Sequence, residues 1–170
     1  MKIIQGLKKI KDLAEKAHDI GLLVKENCAH DNVAKPKYGE EQQARVDGWM
    51  QSYHDLLTEI LDIRIRIQKT NLETLVPIEL GGKVVTKSIA EWIHRRRDLA
   101  SDEYQLWEIL SDRGIKECKA QNASGDQFDV WIIRYYDPDQ KDKMMALFKS
   151  EPKIIDAELE VVNAVTDLME

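Results

Sequence analysis

The stretch from Val46 to Asn71 constrains the fold more than any other part of the chain. Val46, Trp49, Met50, Tyr53, Leu56 and Leu57 recur at three- and four-residue steps, and Ile60, Ile63 and Ile67 continue that stripe. Leu57, Leu61 and Ile65 make a second stripe beside the first. A helix that is apolar over about half its circumference is packed on more than one side. Its neighbours can be other helices of the same chain or a second subunit. The local run IRIRI has the period of a strand. It nevertheless continues an unbroken helical pattern, with no breaker between Trp49 and Thr70. The tract therefore reads as one helix, from near Glu40 or Glu41 to about Asn71.

Beyond Asn71 the chain reverses. In VPIELGGKVVT, two short runs rich in Val and Ile flank Gly81-Gly82. That dipeptide supplies the positive φ values of a tight hairpin, here expected over 76–86. Pro77 cannot donate to a ladder, so its strand is an edge or begins there. Ser88 and Glu91 fit a capping box and open a third helix. Its buried stripe is Ile89, Trp92, Ile93, Leu99, Ala100, Tyr104, Trp107 and Leu110, and Gly114 ends it. Upstream, Ile3, Leu7, Ile10, Leu13, Ala14, Ala17, Ile20 and Val24 predict a first helix over Lys2 to Lys25. A loop with Pro36 and Gly39 comes after it. Residues 115–136 read as a second, looser hairpin in which Trp131, Ile133 and Tyr135 alternate with Ile132 and Arg134. Asp137 before Pro138 is a helix start. The last helix is expected to reach Leu168, either kinked at Pro152 or restarted by Ser150 as a fresh cap.

These elements predict a mainly α (α+β) fold: a single domain over 1–170, an antiparallel bundle of four long helices with one or two β-hairpins. Composition agrees, with 43% hydrophobic and 33% charged residues. No apolar run approaches the roughly 20 residues that span a bilayer. The N-terminal run has Lys and Asp inside its apolar pattern, unlike a secretory signal. The net charge of −6 lies in residues 86–170, and a net acidic chain argues against nucleic acid as a partner. Cys28 and Cys118 have no CxxC spacing and read as reduced thiols in a cytoplasmic protein.

Several segments together resemble the septicolysin-like family of small helical proteins. They are the opening Met1-Lys2 followed by Leu7, Asp12, Leu13 and Lys16, then IQKTN (Ile67 to Asn71), RRRDL (Arg95 to Leu99) and IIDAELEVVNAVTDL (Ile154 to Leu168). The resemblance implies a helical, oligomer-prone fold and carries over no active site. No strand pair is long enough to form an amphipathic membrane pore.

Two patterns raise the question of chemistry. Glu-x-x-His occurs as Glu15/His18 and as Glu91/His94. Two such pairs, with a Glu from each of two further helices, build a di-metal bundle site. Glu59 and Glu158 are the residues that could complete it. Against this, Glu15 falls with Lys8 and Lys11 on the polar side, and Glu91 is spaced to pair with Arg95. Glu40 and Glu41 with Glu59 and Asp62 resemble the paired acidic motifs of all-α nucleotide pyrophosphohydrolases. Here both pairs fall on one helix, about 30 Å apart at roughly 1.5 Å per residue, which one ion cannot bridge. Cys28, His30 and Asp31 offer metal ligands in a loop but lack a second cluster. Arg95, Arg96 and Arg97 spread over about 200° of a helix, so they cannot all face one ligand. They read as a solvated face with internal or intersubunit ion pairs.

The sequence thus points to a non-enzymatic structural or interaction protein that acts as a homo-oligomer, with other proteins as further candidate partners and no cofactor. A metal-dependent helical-bundle enzyme is the alternative. The expected interface residues are Leu57, Leu61, Ile65, Arg64, Arg95 and Arg96.

Overall fold

The structure is a computed structural model and describes all 170 residues. It is mainly α with two antiparallel hairpins, as the periodicities predict. Backbone contacts group the chain into two compact units, one of Met1–Thr74 with Glu160–Glu170 and one of Leu75–Leu159.

The first unit is built on two long helices, α1 (Ile3–Asn27) and α2 (Gln42–Glu73). They run antiparallel: Lys9 pairs with Glu59 at 2.6 Å near one end, and the Gln42 amide donates to the Asn27 carbonyl at 2.6 Å at the other. Ile3, Leu13 and Ala17 of α1 are buried, as are Val46, Ile60, Ile63 and Ile67 of α2. Each buried aliphatic side chain of the larger kind contributes about 1.5–3 kcal/mol. Gly6 lets the helices and the C-terminus close up, since a Cβ there would sit 2.9 Å from Leu168 Cδ1. The last residues clasp this pair. Ile3 N–H donates to the Thr166 carbonyl and Leu168 N–H to the Met1 carbonyl. The hydroxyl of buried Thr70 accepts from Met169 N–H. These bonds divert the chain from helical hydrogen bonding, so the last helix, α5 (Pro138–Val165), stops short of the expected Leu168.

The second unit opens on the hairpin of β1 (Leu75–Leu80) and β2 (Lys83–Ser88). The turn is where the Gly-Gly dipeptide placed it, with φ of +57° at Gly81 and +78° at Gly82. Ser88 then caps α3 (Ile89–His94) through the predicted capping box. The third helix is not continuous. A five-residue π-type turn, Arg95–Leu99, separates α3 from α4 (Ala100–Glu108). The extra residue rotates the buried stripe. Leu99, which shares the face of Trp92 in a regular helix, turns outward, and Ala100 becomes fully buried in its place. The helix also ends before Gly114, and positive φ values at Arg113 and Gly114 form the next turn.

The second hairpin is shorter than its sequence suggests. β3 (Cys118–Gln121) pairs with β4 (Gln127–Val130), and Val130 opposite Cys118 is the last rung. Trp131 to Tyr136 therefore have no strand to pair with, despite their alternation. Arg134 and Tyr136 are held instead by Asp112, at 2.6–3.0 Å. The helix start at Asp137 is as predicted, with the Asp137 carboxylate accepting from Asp139 N–H. At Pro152, α5 continues unbroken, and the Ser150 hydroxyl bonds back to Leu147 rather than capping a new segment. Phe148, Glu151, Ile155 and Leu159 are buried along one face, and this packing offsets the donor that proline lacks. No helix is long and apolar enough to cross a membrane.

Candidate functional site

The second unit holds an open cavity of about 570 Å³, a size within the range of small-molecule sites. Three elements build it. Successive side chains alternate across a strand, so one face of β2 presents Lys83, Val85 and Lys87 to the cavity. Across the ladder these lie opposite Leu80, Ile78 and Val76. Ile78 and Val76 are buried, so the two lysines occupy the apolar face of the hairpin. From the helical side come Trp92, Arg95 and Leu99, and from α5 come Leu147, Phe148 and Glu151. Trp92 is fully buried, and its indole N–H donates to the Val76 carbonyl at 2.9 Å, fixing helix to hairpin.

An ion pair lines the cavity. Glu151 is 2% exposed. Its two carboxylate oxygens accept from Arg95 Nε and Nη2, a bidentate fork, and Arg95 Nη1 reaches Glu103 at 2.7 Å. The guanidinium also stands 5.3 Å from the centre of the Phe148 ring. The Glu151 hydrogen bond, joined by that to Glu103, holds the Arg95 proton more firmly than usual. The π-type turn gives the three arginines separate partners. Arg96 pairs with Asp156 at 2.6 Å, and Arg97 pairs with Asp98 at 3.1 Å. The expected Glu91–Arg95 pair does not form. The Glu91 carboxylate turns back to Ser88, accepting from its N–H at 2.8 Å and its hydroxyl at 2.9 Å. Those bonds, the backbone one first, hold its carboxyl below the usual range.

The groups that suggested a metal do not meet. No three His, Cys, Asp or Glu side chains converge on a metal-sized site. Glu15, His18, Glu91, His94 and Glu158 are all exposed, and Glu59 is engaged by Lys9. Glu40 and Glu41 sit in a separate 3-10 turn ahead of α2. In the α1–α2 loop, Cys28 and His30 are exposed, and Asp31 accepts from Val33 and Ala34 N–H in a local turn. Those two backbone donors hold its carboxyl low.

The two stripes of α2 part company. Ile60, Ile63 and Ile67 are buried, whereas Leu57, Leu61 and Ile65 are 43%, 57% and 43% exposed. Met50 and Leu72 extend this outer stripe and are also exposed. Of the arginines expected at an interface, Arg95 and Arg96 are engaged within the chain, and Arg64 is exposed without an ion pair.

Sequence reasoning missed Lys83, Lys87 and Glu151. A signal for each was present. Lys-x-Val-x-Lys puts cations on one face of a strand, and Glu151 falls on the apolar stripe between Phe148 and Ile155. No protein-family model, curated protein or solved structure matches the chain.

Proposed function

We propose that this is a non-enzymatic self-associating protein whose copies pair antiparallel through the outer stripe of α2. The observation that carries the reading is the spacing of that stripe. Met50, His54, Leu57, Leu61, Ile65, Gln68 and Leu72 follow one another at steps of 4, 3, 4, 4, 3 and 4 residues, which read the same in both directions about Leu61. A two-fold interface must be self-complementary. In an antiparallel pair centred on Leu61, each Leu57 meets the partner's Ile65, each Met50 the partner's Leu72 and each His54 the partner's Gln68. The stripe is about 33 Å long at 1.5 Å per residue, and its leucines and isoleucine face water in the single chain. The oligomer-prone fold implied by the septicolysin-like resemblance points the same way.

Size-exclusion chromatography with light scattering tests the reading. The expected result is a dimer at micromolar concentration that Leu61→Glu converts to a folded monomer. Disulfide trapping tests the register in a background where Cys28 and Cys118 are serine. A mixture of Met50→Cys and Leu72→Cys chains should cross-link as a heterodimer. A wild-type monomer at about 100 μM, a concentration at which even a Kd of tens of micromolar gives mostly dimer, or a dimer indifferent to Leu61→Glu, overturns the proposal.

A further inference from the structure

We propose that the open cavity of the Leu75–Leu159 unit binds an amphipathic anion, specifically a free aliphatic monocarboxylate. Three observations carry this, and none depends on self-association through α2.

The first is the misplaced charge. Lys83 and Lys87 stand on the face of the hairpin whose cross-strand neighbours include the buried Val76 and Ile78. A strand that faces a core wants apolar side chains there. Lysine is tolerated because its stem can cover apolar surface while the ammonium stays in water. Neither ammonium forms a salt bridge or hydrogen bond within the chain, although the chain is net acidic.

The second is that the other charges of the cavity are already satisfied. Arg95 is held by Glu151 and Glu103. Glu91 accepts hydrogen bonds from Ser88 and offsets only part of the lysine charge, through Lys87. Of the charged groups lining the cavity, Lys83, Lys87 and Arg95 are positive and Glu91 and Glu151 negative, so the lining keeps one net positive charge, on β2.

The third is the wall. Apart from the charged groups and His94 the lining is apolar, with Leu80, Val85, Leu99 and Leu147 supplying aliphatic surface beside the rings of Trp92 and Phe148. Leu99 takes part because the π-type turn rotates it off the buried stripe, and such turns recur at functional sites. An apolar wall with a few placed polar groups is the usual build of a small-ligand site. A carboxylate meeting an ammonium, with an aliphatic chain along the leucines, satisfies both parts.

Isothermal titration with submicellar laurate tests this, with dodecanol and acetate as probes lacking the charge and the chain. Laurate should bind at least tenfold more tightly than either. The double variant Lys83→Met/Lys87→Met keeps the apolar stems. It should weaken laurate at least tenfold and leave dodecanol unchanged. Val85→Trp, which fills the cavity without touching a charge, should weaken both. Circular dichroism checks that each variant is folded, and Leu61→Glu should bind laurate as the wild type does. The proposal is overturned if laurate and dodecanol bind equally, if neither variant alters laurate binding, or if the chain binds anionic vesicles but not free laurate.

Discussion

Removing the Glu151 carboxylate should be among the most damaging single changes to the Leu75–Leu159 unit. Glu151 is almost wholly buried, and the Arg95 side chain is only 19% exposed. Deleting one member of a buried ion pair costs about 3–5 kcal/mol when it strands the other charge. Here Arg95 keeps Glu103 at 2.7 Å and a path to water. That lowers the expected cost of Glu151→Ala to about 2–4 kcal/mol. Glu151→Gln retains an acceptor and should lose about 1.5–3 kcal/mol, the range for a hydrogen bond to a charged group. The decisive comparison is the double variant Arg95→Met/Glu151→Leu. It removes both charges, leaves none stranded and refills the space, so it should lie within about 1 kcal/mol of wild type. It forfeits the Arg95–Phe148 contact, about 0.5–1 kcal/mol. Urea unfolding followed by circular dichroism measures all three, with an unchanged slope required for the comparison. In a chain of this size the Glu151→Ala cost corresponds to a melting point lower by about 4–16 °C. A loss below about 1 kcal/mol for Glu151→Ala, the level of an exposed pair, would refute the reasoning. A double variant as unstable as the single would show that the pair stabilises the unit outright, against the desolvation argument.

Gly6→Leu should destabilise the first unit by about 1–3 kcal/mol, because the new side chain must displace Leu168 and crowd Ile63 and Ile67; thermal melts of the full chain read this, and an unchanged melting point would mean the C-terminal clasp is not packed as described. Ser88→Ala should cost about 1 kcal/mol at neutral pH through loss of the cap. It also removes a hydroxyl that holds the Glu91 carboxyl below its ordinary value of 4.5. A carboxyl depressed in the folded state contributes stability in full above its unfolded value, and that stability is lost as pH falls through the folded value. The gap between wild type and Ser88→Ala should therefore narrow below about pH 4.5, and a gap constant from about pH 7 to about pH 3 in urea titrations would sink the assignment.

Periodicity made the helices and hairpins legible because each reports one face of one element. The buried stripe of α2 could be read this way, and so could the capping box at Ser88 and the Gly-Gly turn. What periodicity cannot register is a change of phase. The π-type turn inserts one residue between Trp92 and Ala100, and its first residue, Arg95, is held by a partner distant in sequence. That partner is Glu151, 56 residues from Arg95, buried on the apolar stripe of α5. A charged residue on an apolar stripe is locally inconsistent, and so are two lysines on the inner face of β2. Local inconsistencies of this kind are expected where a structure serves something besides its own stability. The strand-like run Trp131 to Tyr136 failed for the opposite reason. Its local pattern is consistent, but no rung remains beyond Cys118 for it to pair with. The Glu-x-x-His pairs were drawn to attention by spacing alone, and spacing fixes only that two groups share a helix face. Glu15 and His18 share a face that looks into solvent, whereas Leu57, Leu61 and Ile65 share one that is apolar and equally open to solvent. An exposed polar face lacks no partner. An exposed apolar face of regular spacing is what the proposed antiparallel pairing would cover, which is why the proposal rests on the α2 stripe and not on the acidic pairs.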